Sequence, residues 1–472
     1  MTGSIPRETQ RLLESAGQAH LLRWWDDFDE ARRTHFLSQI EAIDFPLIDE
    51  LVRAPAIADS HVDPRRLAER AAPPLNLLRL PWNSAERAEW QAAEARGEEL
   101  LSAGQVGAIV VAGGQGTRLK FDRAKGLYPI GPVSGRSLFQ VFAEQLRARS
   151  RRASVAIPWF VMTSLATHDE IVAFFVGNAH FGLDPADVFF FQQGAMPAVD
   201  ATTGRVLLSD RHEIAFSPDG HGGMPAALRK AGLFDEMRRR GIEHLYYHQV
   251  DNPASMLCDP AFVGWHDRRR SDLSTKIVAK VAPEEPMGVV VSVDGQTRII
   301  EYSDLPADLL RKTDAAGQPC FWAGNTAMHV FRREFLERLA ADPALLPFHV
   351  ACKAVEYLDD AGQVVTPAAN NAWKFERFIF DALPHAGEAV VVETDRASEF
   401  LPVKKAEGSD SPQSSREGLM RMYRSWLRAA GTEIADEVPV EISPLAALRA
   451  EDLLQGISLP ATIDRPTMIG PE

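Results

Sequence analysis

The rhythm of apolar and polar positions changes twice along this chain. From about residue 7 to 100, charged residues are dense and apolar ones recur at helical intervals. Leu22, Trp25, Phe28 and Phe36 fall near the spacing of one helix face. Phe45-Pro46 interrupts that periodicity, and Ala72-Pro73-Pro74-Leu75 reads as a connector. The run from Glu86 to Gly104 predicts a further helix stopped by its glycine. Trp24 and Trp25 are expected to face a core.

From about 101 to 382, short apolar runs alternate with amphipathic stretches. Strands are predicted at 107–112, 157–163, 187–192, 243–250, 275–281 and 287–293, with helices at 137–149, 168–177, 224–232 and 332–340. This alternation predicts an α/β fold: a mainly parallel mixed sheet with helices on both faces and ligands beyond the carboxyl ends of the strands. Lys374–Asp381 reads as an apolar-striped helix that is mostly core. From 383 the composition shifts again, to the strand run GEAVVVETD, the polar loop SDSPQSS at 409–415, a helix ending at Gly431 and a proline-punctuated tail. The domain expectation is therefore a helical region at 1–100, a catalytic domain at 101–382, and a small C-terminal α+β domain at 383–472 that closes over one side of the site.

Composition narrows the function classes. The chain has 472 residues, 45% of them hydrophobic and 25% charged, as in ordinary globular proteins. A net charge of −14 gives no basic excess to drive nucleic-acid binding, although a few local cations suffice for a nucleotide pocket. Arg238–Arg240 and Arg268–Arg270 read as solvated helix faces. Three widely spaced cysteines imply neither a disulfide framework nor a zinc site. No apolar run approaches a membrane span and the N-terminus lacks an apolar targeting segment, so no membrane partner and a cytoplasmic location are expected.

The chemistry concentrates at IVVAGGQGTRLKFDRAKGLYPI, residues 109–130. A β-branched strand stops at Ala112-Gly113-Gly114-Gln115-Gly116, where glycines let backbone N–H groups point at an anion. Arg118 and Lys125 follow within reach of polyphosphate oxygens. The pattern is neither GxxxxGK[ST] nor GxGxxG. Downstream, Gln192-Gln193-Gly194 offers amide groups suited to a nucleobase edge, and Ser217–Gly223 reads either as a plain turn or as a backbone shelf. Val250-Asp251-Asn252 ends a strand and suits either a helix cap or a hard cation.

The ordered set of GGxGTRL with K-G-x-x-P-I, QQG-x-x-P-A, P-x-G-H-G and V-D-N resembles the eukaryotic-type UDP-sugar pyrophosphorylases, especially their UDP-N-acetylhexosamine branch. The resemblance covers roughly residues 20–430. It implies a nucleotide-diphospho-sugar transferase fold, Rossmann-like in its sheet. It places Ala112, Gly113, Gly114, Gln193, Gly220 and Asp251 on the nucleotide, with Gln193 reading uracil and Asp251 holding Mg²⁺. It gives catalytic roles on the phosphates to Arg118, Lys125 and, through F-x-P-V-K-x-A, Lys404. Sugar contacts fall to His221, Gly288, Glu301, Tyr302, Asn325, Phe378 and Phe380. Two features depart from the pattern or pull against each other. Lys120 stands where the family usually has glycine. His221 matches the glucose branch, whereas Phe378 and Phe380 favour an N-acetyl sugar.

The resemblance thus implies uridylyl transfer from UTP to a sugar 1-phosphate, with N-acetylglucosamine 1-phosphate the leading acceptor and a monomer favoured. Glucose 1-phosphate or a broad set is the alternative. A catalytically silent nucleotide-sugar sensor is the second alternative, and a dinucleotide-dependent oxidoreductase is disfavoured by the missing GxGxxG.

Overall fold

The computed structural model of the chain describes residues 5–53, 64–454 and 457–470. The part of the expected helical region at 54–63 lies outside the described residues. Contacts divide the chain into two compact units. One comprises 1–63, 193–224 and 346–379, and the other 64–192, 225–345 and 380–472. The three consecutive segments expected from the sequence do not coincide with these units, because both draw on distant stretches of chain.

The larger unit is built on a ten-stranded sheet. In chain order its strands are β1 (Leu77–Leu78), β2 (Val106–Val111), β3 (Trp159–Thr163), β4 (Val188–Gln192) and β5 (His244–Gln249). Then come β6 (Leu273–Ala279), β7 (Val289–Val293), β8 (Gln296–Ile300), β9 (Ala323–Arg332) and β10 (Ala389–Glu393). The spatial order is β1-β10-β6-β9-β5-β2-β3-β4, with β7 and β8 forming a hairpin beside β9. Only β9 runs against its neighbours along this path, so the sheet is mainly parallel, as the alternation predicted. Parallel strands need both faces covered. Accordingly β2, β3 and β5 are buried almost throughout.

Helices Leu138–Ala153, Pro260–Arg268 and Pro412–Ala429 contribute Phe139, Phe142, Phe262, Leu419 and Leu427 to the same core as Val110, Trp159 and Tyr246. Ser84–Ser102 crosses Pro260–Arg268 so closely, at Gly97 and Gly264, that the backbones touch. The run expected to open a separate C-terminal domain contains β10, which pairs with β6 and β1 in the main sheet.

The smaller unit packs helices Arg7–Ser15, Glu30–Glu41 and Phe45–Arg53 with a three-stranded sheet of Phe348–Lys353, Ala372–Arg377 and Val199–Asp200. Leu13, Trp25, Phe28, Phe36 and Ile40 meet Val199, Ile214 and Phe375 in its core. Three sequence readings are corrected here. Leu22, Trp25, Phe28 and Phe36 do not share one helix, because Ala19–Leu22 and Trp25–Asp27 are 3₁₀ turns and the helix starts only at Glu30. There the Asp29 side chain accepts the Arg32 N–H at 2.8 Å. Phe45-Pro46 opens a helix, since proline is tolerated in a first turn whose N–H groups lack partners. Finally, Ala372–Arg377 is a strand, not a helix, paired with Phe348–Lys353. Among the described residues no helix is long and apolar enough to cross a membrane.

Candidate active site

In the larger unit, all strands of the main path except β9 point the same way, so their carboxyl ends share one edge. The loop after β2 is held there by its own backbone. Ala112 N–H donates to Met162 O at 2.8 Å, and Ser164 Oγ donates to Gly113 O at 2.8 Å. Lys125 N–H donates to Gly114 O at 3.0 Å, and Gly116 N–H to Arg123 O at 2.8 Å. The loop therefore folds back as a glycine hairpin. Space above Gly114 is open: a side chain added there would meet nothing within 4 Å.

Strand β5 delivers Asp251 to the same edge. Its Oδ2 lies 3.5 Å from Lys125 Nζ, and both side chains are mostly buried. Asp251 O accepts the Val403 N–H at 2.7 Å, which places the residue before Lys404 directly against it. A closed series of contacts thus runs from Gly114 through Lys125 and Asp251 to the segment entering Lys404. Arg118 sits on an exposed 3₁₀ turn, Thr117–Leu119, and has no carboxylate partner among the described residues. Lys120 pairs instead with Glu407 at 2.9 Å, both side chains largely exposed. Sequence reasoning passed over Ser164, whose hydroxyl anchors the hairpin. A serine just after the neighbouring strand is the only local signal.

The residues expected on the sugar also cluster in part. Asn325 N–H donates to Gly288 O at 2.8 Å, and Asn325 Oδ1 accepts the Ala327 N–H at 3.0 Å. Any side chain at Gly288 would sit 2.7 Å from Glu301 Oε1. Gly288, Glu301 and Asn325 therefore share one patch. Tyr302, the next residue along, is 54% exposed, and Phe380 is buried in the 3₁₀ turn Ile379–His385.

In the smaller unit, Gly220 takes φ +85 and lies against the backbone of Arg377. His221 Nδ1 accepts the Ile379 N–H at 3.0 Å, so that nitrogen carries no proton. Burial, with His349 nearby, pulls His221 down to about 4, in keeping with a neutral ring. The Phe378 ring lies 5.5 Å from that of His221 and 4.4 Å from that of His349. Phe378 follows a strand and Phe380 lies in a 3₁₀ turn, so they do not share a helix face. Gln193 is half-buried. Asp219 N–H donates to Gly194 O at 3.0 Å, and burial pushes the Asp219 carboxyl up to about 6 against the pull of Arg377.

Burial fixes charge states beneath the site as well. On β5, His248 is pushed down to about 3 by burial despite the Gln249 carbonyl, and His244 to about 4 despite Asp267. Both are neutral when folded and protonate when unfolded below about pH 6.5. A depressed folded value means stability is full above 6.5 and falls as pH drops towards 4. The expected loss is roughly 1.4 kcal/mol per pH unit per histidine, of which Asp219 returns one share below pH 6. Urea unfolding at pH 7 and pH 5 measures it; equal midpoints would contradict these burials.

Fold and site together define a nucleotidyltransferase-like protein. A family described as UTP–glucose-1-phosphate uridylyltransferase matches residues 81–430. The human UDP-N-acetylhexosamine pyrophosphorylase-like protein 1 is 35% identical across 95% of each chain. The UDP-N-acetylglucosamine pyrophosphorylase of Saccharomyces cerevisiae is 33% identical, covering 95% of this chain and 96% of its own. Among solved structures, the Trypanosoma brucei uridine diphosphate N-acetylglucosamine pyrophosphorylase in complex with inhibitor superposes with a TM-score of 0.81 at 26% identity, across 99% of both chains. The chain belongs to the UTP–glucose-1-phosphate uridylyltransferase family.

Proposed function

We propose that the protein transfers the uridylyl group of UTP to N-acetylglucosamine 1-phosphate, releasing pyrophosphate, and that it does so as a cytoplasmic monomer. The observation that carries this reading is the contact series Gly114–Lys125–Asp251–Val403, which gathers a glycine hairpin, a carboxylate and the approach to a second lysine at one sheet edge. The acceptor follows the name of the yeast relative, and the human relative's name supports an N-acetylhexosamine more broadly.

A sugar-phosphate oxygen attacks the α-phosphorus, a new P–O bond forms, and the bond to the β-phosphate oxygen breaks. The nucleophile is already anionic, so no general base is required. The chain's contribution is alignment and neutralisation of phosphate charge. Backbone N–H groups of Gly113 and Gly114 cradle the triphosphate, Lys125 and Arg118 face its oxygens, and Lys404 covers them from the C-terminal segment. Gln193 and Gly220 take the uracil. Of the residues assigned to the sugar, Gly288, Glu301, Tyr302, Asn325 and Phe380 belong to the larger unit, and His221 and Phe378 to the smaller.

Asp251 is the residue that would hold Mg²⁺. Among the described residues no group of three or more His, Cys, Asp or Glu side chains gathers for a metal. One carboxylate fits a hard cation that completes its shell with water and phosphate oxygens, the usual manner of Mg²⁺. Bound there, the ion would neutralise phosphate charge.

His221 keeps glucose 1-phosphate as a second reading. Pyrophosphate release measured with UTP and each sugar 1-phosphate in parallel separates them. N-acetylglucosamine 1-phosphate is expected to give the higher kcat/KM. Faster turnover with glucose 1-phosphate would reverse the assignment, and no release with either would reject it.

A further inference from the structure

Lys276 lies in β6 and is 2% exposed. Its ammonium donates to Asp259 Oδ2 at 2.7 Å and to Glu399 Oε2 at 2.5 Å. Glu399 Oε1 accepts the Thr394 hydroxyl at 2.5 Å, and Asp259 Oδ1 caps helix Pro260–Arg268 through the Ala261 N–H at 3.1 Å. Burial works against the Asp259 carboxylate, yet Lys276, Arg149 and the Ala261 amide together hold it below the usual range. Burial raises Glu399 against the pull of Lys276, and the neighbouring Asp259 carboxylate adds to the rise.

A buried ionic group of this kind is a poor source of stability, since well-packed apolar residues usually serve as well or better. Its value lies in what it holds in place. The backbone that follows Glu399 is laced to the turn after β5. Asn252, itself 3% exposed, donates from Nδ2 to Glu399 O at 2.7 Å and accepts the Leu401 N–H on Oδ1 at 3.0 Å. Val403 N–H then reaches Asp251 O at 2.7 Å. Ser415 Oγ fixes the outer side of the strap by donating to Leu401 O at 2.8 Å. Residues 399–403 are therefore bound at alternate positions to Asp251 and Asn252, and Lys404 follows directly, its own N–H donating to Asp410 O at 2.7 Å.

We infer that Asn252, with the Lys276–Glu399 ion pair behind it, is a positioning residue that fixes Lys404 opposite Asp251 and so sets the width of the phosphate pocket. The inference rests on the phosphate-side roles proposed for Asp251 and Lys404. Asn252 acts on the phosphates only through Lys404.

Two measurements on the full-length chain test it. Limited trypsin digestion of N252A is expected to cut after Lys404 or Lys405 at least tenfold faster than the parent, with other sites unchanged. Equal cleavage rates would overturn the tether, whether or not the protein turns over UTP. A double-mutant cycle in the pyrophosphate-release assay then reads the coupling. N252A should lower kcat at least tenfold with KM for the sugar phosphate changed less than threefold. In a K404A background the same change should cost less than twofold. Multiplying losses would overturn the inference while leaving uridylyl transfer intact; a parent protein that releases no pyrophosphate would instead reject the function and leave the digestion result to decide the tether. If N252A does not fold, E399Q, which keeps the side-chain volume, takes its place in both measurements with the same expected signs.

Discussion

Replacing Lys125 by alanine is expected to lower kcat/KM for uridylyl transfer by about 10²–10³, equivalent to roughly 2.7–4 kcal/mol of transition-state stabilisation. The side chain is 18% exposed and its ammonium stands 3.5 Å from the Asp251 carboxylate. In the role proposed for it, its removal takes away a fixed positive charge where phosphate charge shifts during transfer, and it leaves Asp251 without its cation. The backbone bond from Lys125 N–H to Gly114 O survives the change, so the hairpin keeps its shape and the thermal midpoint stays near that of the parent. Steady-state rates with saturating Mg²⁺, together with a melting curve, give the answer. A folded variant that retains more than a tenth of parental activity would remove Lys125 from the phosphate site.

The second large effect belongs to Gly220. With φ +85 and ψ 166 it occupies backbone space open essentially only to glycine, at a cost of order 1–3 kcal/mol for any other residue. A methyl group there would also meet the carbonyl oxygen of Arg377 and lie 2.7 Å from its backbone nitrogen. Gly220→Ala must therefore push the turn off the strand Ala372–Arg377. Lower stability to urea and at least a tenfold rise in KM for UTP are expected together. Lower stability with an unchanged KM would show that the turn supports the fold without serving the base.

Much of this was legible in the sequence where the signal is local. Every strand predicted between 107 and 293 exists, within a few residues, because short runs rich in β-branched and aromatic residues between turn residues favour strands. The glycine hairpin and the turn at Asp251 were legible for the same reason. Lys374–Asp381 misled because aromatic positions 375, 378 and 380 imitate a helical stripe. What decides their conformation is pairing with Phe348–Lys353 and with the distant Val199–Asp200, where Ala372 meets Asp200 and Trp373 meets Val199. The Lys276–Asp259–Glu399 group was equally hidden. Its members are 17 and 123 residues apart, and nothing near any of them announces the others.

The smaller unit's assembly from three separated stretches has a consequence for how the protein is made. Phe36 and Phe375 share its core yet stand 339 residues apart. During translation the first helices leave the ribosome with their greasy side bare; Val199 and Ile214 can cover part of it midway, but the cover is complete only when nearly four-fifths of the message has been read. Contacts this distant close late, and uncovered apolar surface invites aggregation in the interval. Chaperone demand during synthesis is thus written into the order in which the chain is threaded.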